Sequence, residues 1–82
     1  MGNKMNILDE PSSGREIKIL EGLASLPLSR EPWGFSRGLR RSTHWRIDGI
    51  AAEDVATVLA HVQACGGLDA KVHGTSVEWA SW

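Results

Sequence analysis

The sequence predicts a small single-domain α+β fold in which helices pack on one small antiparallel sheet. The chain has 82 residues, of which 41% are hydrophobic and 23% charged, the balance of a folded globular domain. Apolar residues recur with a helical period in two segments, and they alternate with polar residues in three others. The predicted order is helix, loop, strand, helix and β-hairpin, all within residues 13–82.

The chain is predicted to start with a mobile lead-in over residues 1–12, because Pro11 and weak periodicity give no regular element there. Ser13 followed by Glu16 fits a capping box, which predicts that a helix begins here and ends at Pro27. The residues that recur at helical spacing are Ile17, Leu20, Leu23 and Ala24, and Ile19 and Leu26 widen this apolar face. The alternation in REIKI also fits a strand, but the periodic segment is longer than a strand.

Residues 27–42 are predicted to form a long loop, or a loop with one helical turn near residues 38–42, because they include two prolines, two glycines and three serines. The next stretch, THWRIDGI, alternates apolar and polar residues and predicts a half-buried strand that ends at Gly49. In this strand Trp45 points into the core, and His44 and Arg46 point outward.

The segment AAEDVATVLAHVQACGG predicts the second helix, with acidic residues in its first turn and a glycine pair at its end. Its apolar stripe consists of Val55, Val58, Leu59 and Val62. The segments LDAKVH and SVEWAS then predict a hairpin with a type II′ turn at Gly74 and Thr75. The resulting opposite pairs are Val72 with Val77, Ala70 with Trp79, and Lys71 with Glu78.

The stretch DVATVLAHVQACGGLDAKVHGTSVEW resembles the third helix and the wing of winged-helix DNA-binding domains. The resemblance is one of spacing, and it implies a winged-helix-like C-terminal half that binds DNA. In that family the helix reads the DNA groove, whereas here its first turn contains Glu53 and Asp54, which would face phosphates.

Positive charge is concentrated in residues 30–46, which contain five arginines and one acid, Glu31, in a chain of net charge −1. Arginine interleaved with aromatic rings is the combination that binds nucleic acid, through guanidinium–phosphate contacts and ring stacking on bases. The candidate binding residues are Arg30, Trp33, Phe35, Arg37, Arg40, Arg41, His44 and Arg46. The residues expected on phosphates are Arg37, Arg40, Arg41 and Arg46. Trp33 or Phe35 is expected to stack on bases if it is exposed.

The first functional prediction is therefore a small module that contacts nucleic acid. The alternative is a protein-binding adaptor or inhibitor, such as phages and other mobile elements encode against host defences, that uses the same window or the acidic remainder of the chain. A homodimer that pairs sheet edges or oppositely charged faces is a third prediction. In the purely structural alternative, the arginines pair with carboxylates of the same chain and the aromatic rings fill the core.

The sequence predicts no enzyme activity, no cofactor and no metal. It contains no strained nucleophile motif and no phosphate-binding glycine loop. His61 and Cys65 are four residues apart, but zinc would need His44 or His73 to converge on them, so His61 is expected to face solvent and Cys65 to be buried. The single cysteine and the lack of a long apolar run favour a cytoplasmic protein with no membrane partner.

Overall fold

The computed structural model of the protein describes residues 6–7, 14–37 and 44–80. The described strands are β1 (Asn6–Ile7), β2 (Gly34–Arg37), β3 (His44–Asp48), β4 (Leu68–His73) and β5 (Ser76–Ala80). The described helices are α1 (Gly14–Leu23) and α2 (Val55–Ala64), and a 3-10 turn (Ala52–Asp54) leads into α2. The predicted α+β class is confirmed. None of the described helices is long and apolar enough to cross a membrane.

The five strands form one sheet in the order β1-β2-β3-β5-β4, in which only the β1–β2 pair is parallel. The prediction of a loop over residues 27–42 is wrong at Gly34–Arg37, which form β2, and the helical turn predicted near residues 38–42 lies outside the described residues. A strand of four residues offers too few alternating positions to be recognised from its own sequence. Its formation depends on pairing with β3, where Phe35 lies opposite Ile47 and Arg37 opposite Trp45.

Two residues of the predicted lead-in form β1. Asn6 pairs with Gly34 and Ile7 with Phe35, and the Asn6 amide donates to the Trp33 carbonyl at 2.8 Å. Ile7 is 50% exposed, so β1 contributes backbone hydrogen bonds to β2 and little apolar burial.

Both helices cover one face of the sheet. Phe35, Trp45 and Trp79 come from three neighbouring strands and form the core with Ile19 of α1 and Val58 of α2. The rings of Phe35 and Trp45 are stacked, with centroids 5.1 Å apart. The prediction that Trp45 points inward is confirmed. The residues that alternate with this core set are mostly polar and form the opposite, open face of the sheet.

The buried face of α1 differs from the predicted stripe. The helix buries Glu16, Ile19 and Leu23, whereas Ile17 is 42% exposed. Glu16 is buried because it accepts a hydrogen bond from the indole Nε1–H of Trp79, at 3.2 Å, across the core. The predicted apolar face is therefore correct at Ile19, Leu20 and Leu23 and wrong at Ile17 and Ala24, which are exposed. The sequence pattern assigns Glu16 to a capping box and does not predict its burial. The predicted capping partner, Ser13, lies outside the described residues.

Helix α2 and its buried residues Val58 and Val62 agree with the sequence prediction. The exposed position predicted for His61 is wrong. Its ring is half-buried against Gly22 of α1, where a side chain would collide with it, and its Nε2 lies 2.9 Å from the Ile19 carbonyl oxygen. A carbonyl only accepts, so Nε2–H is the donor in this bond between the helices.

The hairpin register is confirmed near the turn, where Val72 pairs with Val77 and Gly74 has the positive φ of 62° that a type II′ turn needs at its first position. A bulge that contains Asp69, with φ 51°, interrupts the β4–β5 ladder farther from the turn, so the predicted pairing of Ala70 with Trp79 is absent from it. Since β5 also pairs with β3, the hairpin is part of the five-stranded sheet.

Candidate functional site

In the structure, the described arginines of the predicted binding window and Trp33 are distributed between the two ends of β2 and the neighbouring strand β3. Arg30 and Trp33 precede the strand, and Arg37 ends it. At about 3.3 Å per residue, the four residues from Trp33 to Arg37 span roughly 13 Å. Arg40 and Arg41 lie outside the described residues.

The C-terminal end of β2, here called the basic end, carries Arg37 of β2 and His44 of β3. Because β2 and β3 are antiparallel neighbours, Arg37 and His44 lie at the same end of the sheet, and the chain that joins them includes Arg40 and Arg41. The Arg37 guanidinium carbon lies 4.7 Å from the centroid of the Trp45 ring, a cation–π contact that orients this half-buried side chain.

Arg46 lies on the open face of the sheet and is engaged within the chain. Its Nε is 3.1 Å from Asp48, whose carboxylate also accepts the Ser76 hydroxyl at 2.6 Å. The Arg46 side chain is 37% exposed. The structural alternative of internal pairing therefore applies to Arg46, and a phosphate would compete with Asp48 for its guanidinium.

The rest of the open face carries both signs of charge. Lys71 lies opposite Glu78 as predicted, but the Glu78 carboxylate is 3.3 Å from His73 Nε2. Lys71 has no ion-pair partner within the described part of the chain. Lys71 and Glu78 line a cavity of about 150 Å³ together with His44 and Asp69, so the cavity gives no preference for a ligand of one sign.

The N-terminal end of β2 lies beside a group of three residues, Trp33, Arg30 and Gly49, here called the Trp33 seat. The Trp33 side chain is 56% exposed, and its indole rests on Gly49, where any Cβ would collide with the ring. Gly49 has φ 72°, a conformation that glycine adopts without strain. The Trp33 amide donates to the Asp48 carbonyl at 3.1 Å. The ring is therefore held in place although it is exposed.

Arg30 is the exposed cation of the Trp33 seat, and its Nη2 donates to the Gly49 carbonyl at 3.5 Å. The loop that carries it is held by Asp54, which is only 5% exposed. The Asp54 carboxylate accepts the Ser29 amide at 2.8 Å, the Ser29 hydroxyl at 3.2 Å and the Arg30 amide at 3.4 Å. A buried carboxylate just before α2 thus fixes the backbone three and four residues before Trp33.

The prediction of Phe35 as a binding residue is wrong. It is fully buried in the core, so it offers no face to a ligand. Phe35 is also 6.1 Å from Trp79, between centroids. Trp33 is therefore the exposed aromatic residue within the described part of the window. Of the two residues predicted to stack on bases, only Trp33 is accessible.

The histidine and cysteine pattern does not assemble a metal site in the described residues, where no group of three or more candidate ligands converges. The Cys65 sulfur lies 3.8 Å from both ring nitrogens of His61. Since His61 Nε2 is occupied by the Ile19 carbonyl, this pair contributes to packing between the helices.

Two residues of the site were missed by sequence reasoning. Asp54 was assigned to the helix dipole, and its contact with Ser29 joins positions 25 residues apart. Gly49 was assigned only to the end of a strand, and nothing in the local sequence pairs it with Trp33. Both contacts join residues that are far apart in the sequence, so no local sequence pattern predicts them.

Comparison with known proteins finds no matching family model, curated protein or solved structure.

Proposed function

We propose that the protein is a small non-catalytic binding module that contacts nucleic acid through the basic end of its sheet. One observation carries this proposal. The antiparallel pairing of β2 with β3 brings Arg37 and His44 to the same end of the sheet, and two further arginines are in the chain between them. Arginine in this density suits phosphate, because its planar fork donates two hydrogen bonds at once.

The fate of the carboxylates supports the same proposal. Glu16 and Asp54 are buried, and Asp48 is bonded to Arg46 and Ser76, so these three acids present little charge to a ligand. The cytoplasmic location favoured by the single cysteine is part of the proposal, since nucleic acid is accessible there.

The engagement of Arg46 changes the expected strength of the interaction. With Arg46 paired to Asp48, the phosphate contacts reduce to Arg37, Arg40 and Arg41. Three contacts predict a slope of log affinity against log salt of about −3 on duplex DNA and about −2 on single strands.

The test is the salt dependence of binding to labelled oligonucleotides, measured by fluorescence anisotropy. The double variant Arg40→Gln and Arg41→Gln is expected to weaken binding and to bring the slope closer to zero by about 1 to 2. Lys18→Gln is the matched control, because Lys18 is an exposed cation on α1 and is expected to leave the slope unchanged. Absence of binding at low salt, or a wild-type slope near zero, contradicts the proposal.

A second candidate is a protein-binding adaptor or inhibitor. The observation that favours it is the Trp33 seat, because exposed tryptophan and arginine are the residue types enriched at binding hot spots. Capture of a stoichiometric protein from the native host that is lost in Trp33→Ala, with no binding to oligonucleotides, favours this candidate. Light scattering at high concentration separates it from a homodimer, which would double the mass of the pure protein.

A further inference from the structure

We infer that the protein forms a two-fold symmetric dimer in which Trp33 of each copy enters an apolar cavity of the other. This inference goes beyond the proposed contact with nucleic acid and does not depend on it. It assigns the Trp33 seat to a second copy of the same chain. The surface involved, here called the dimer surface, consists of Trp33, Arg30, Glu31 and the cavity that the two charged residues line.

The cavity lies between the second half of α1 and the loop that follows it. The apolar residues that line it are Leu20, Leu23, Ala24, Leu26 and Leu28. Its volume of about 250 Å³ is below the roughly 300–1,000 Å³ of pockets that enclose a small molecule, so it suits one large side chain. The Leu26 amide donates to the Leu23 carbonyl at 3.2 Å, and the Leu28 amide donates to the Leu26 carbonyl at 2.8 Å. The cavity is therefore formed before any partner binds.

Arg30 connects the cavity to the Trp33 seat. Its side chain lines the cavity, and its Nη2 donates to the carbonyl of Gly49, on which the exposed Trp33 indole rests. The Arg30 amide is held by Asp54, and the Trp33 amide is held by the Asp48 carbonyl. An exposed ring and a cavity thus share one ordered surface, which has little conformational entropy left to lose when a partner binds.

The rim of the cavity carries both signs of charge. Arg30 and Glu31 are adjacent, exposed and both in contact with the cavity. Arg30 has no ion-pair partner among the residues that the structure describes. A partner of one charge would be attracted by one of these two residues and repelled by the other. A second copy matches both, because a two-fold axis places Arg30 of one copy opposite the partner's Glu31.

Two-fold symmetry doubles every contact, so two tryptophan rings and two ion pairs form together. Tryptophan is enriched among the residues that dominate binding energy, whereas an exposed ion pair contributes little. The two Trp33 rings are therefore expected to supply most of the affinity, and the charges are expected to set the register of the two copies.

The test is sedimentation equilibrium of the pure protein, without nucleic acid, from about 1 μM to about 1 mM. The mass of the wild type is expected to rise with concentration from that of the monomer toward twice that value. Trp33→Ala is expected to weaken the dimer at least about 30-fold, the factor that a hot-spot residue contributes. Ala24→Phe adds a ring at the cavity from an exposed position and is expected to weaken the dimer by blocking Trp33.

Charge reversal tests the two-fold pairing. Arg30→Glu sets acid against acid across the axis, and Glu31→Arg sets base against base, so each variant alone is expected to dimerise about 10-fold or more weakly. An equimolar mixture of the two is expected to restore the dimer, because every charged contact is again between opposite signs. Lys18→Glu is the matched control, since it changes the net charge as Arg30→Glu does, at an exposed position of α1 outside the dimer surface. Asp54 bonds the Arg30 amide, which the substitution keeps.

Three results overturn the inference. The first is a wild type that stays monomeric at the highest concentration. The second is a dimer that Trp33→Ala and Ala24→Phe leave unchanged, because its contact then lies elsewhere. The third is a mixture of the two charge variants that associates no better than either variant alone. Urea unfolding establishes that each variant is folded, and Ala24→Phe keeps the test decisive if Trp33→Ala unfolds.

The outcome for the dimer is separate from that for the proposed function. Dimerisation is measured without nucleic acid, whereas the proposed function is tested by titration with labelled oligonucleotides. A monomer that binds oligonucleotides overturns the inference and leaves the proposed function standing. A dimer that binds none supports the inference and contradicts the proposed function.

Discussion

Asp54 is predicted to be a main determinant of stability, although it is an acid on a short turn. Asp54→Ala removes the acceptor of three hydrogen bonds from Ser29 and Arg30, of which the shortest, from the Ser29 amide, is 2.8 Å long. A hydrogen bond to a charged group contributes about 1.5–3 kcal/mol, and the two longer bonds add less. The expected loss in the free energy of unfolding is therefore about 2–4 kcal/mol, a large part of the stability of a small domain.

Glu53→Ala is the matched control for Asp54→Ala. Glu53 is the preceding acid on the same 3-10 turn and is exposed, so both substitutions remove one negative charge near the start of α2. The difference between the two variants cancels the helix-dipole contribution of about 0.3–1 kcal/mol and leaves the bonds to the loop. Asp54→Asn keeps one carbonyl oxygen and is expected to fall between them.

The assay is urea unfolding followed by tryptophan fluorescence, with thermal unfolding as a check. A loss of 2–4 kcal/mol corresponds to a fall in Tm of roughly 10–30 °C for a domain of this size. If Asp54→Ala lies within about 0.5 kcal/mol of Glu53→Ala, the carboxylate does not hold the loop and the reasoning is refuted.

Two glycines give further predictions, both measured by urea unfolding. Gly22→Ala should raise the free energy of unfolding by about 1 kcal/mol, through helix propensity, only in a His61→Ala background. In the wild type a methyl group at Gly22 would displace the His61 ring. A gain of equal size in the wild type would show that the ring does not pack there. Gly49→Ala should cost more than Gly74→Ala, since both have positive φ but only Gly49 has Trp33 against it, whereas Gly74 faces open space. Equal costs would mean that the Trp33 ring is not seated on Gly49.

The parts of the fold that could be predicted are those whose signal is local in sequence. Helix α2 repeats its apolar residues over several turns, β3 alternates over its full length, and the turn after β4 has a glycine at the position that needs positive φ. In each case the residues that specify the element are next to one another in the chain, so tertiary contacts only reinforce them.

The parts that could not be predicted depend on contacts between distant residues. Strand β2 exists because β3 lies beside it, and α1 turns Glu16 inward because the Trp79 indole, 63 residues away, donates to it. A buried acid at a helical position has the same sequence signature as an exposed one, so periodicity assigns it to the polar face. The same limit applies to His61 and Gly22, whose contact joins two helices.

The candidate site was predictable in composition and not in arrangement. Clustered arginines identify the window, but only the register decides that Phe35 is core, that Arg46 is paired with Asp48, and that Trp33 is exposed. The structural alternative is confirmed for Phe35 and Trp45, which fill the core, and for Arg46, which is paired within the chain, whereas ligand contact by the other members of the window stays a prediction.

The Trp33 ring is held in place although it is exposed. Ordering a surface loop costs about 1–2 kcal/mol per residue in backbone entropy, and this protein offsets it with a buried carboxylate, Asp54, that contributes nothing to the apolar core. If Trp33 served only packing, burial of its ring would stabilise the fold by more than its present half-exposed position does. The proposal that a second molecule contacts the Trp33 seat would account for an aromatic ring that is fixed on a left-handed glycine and yet exposed.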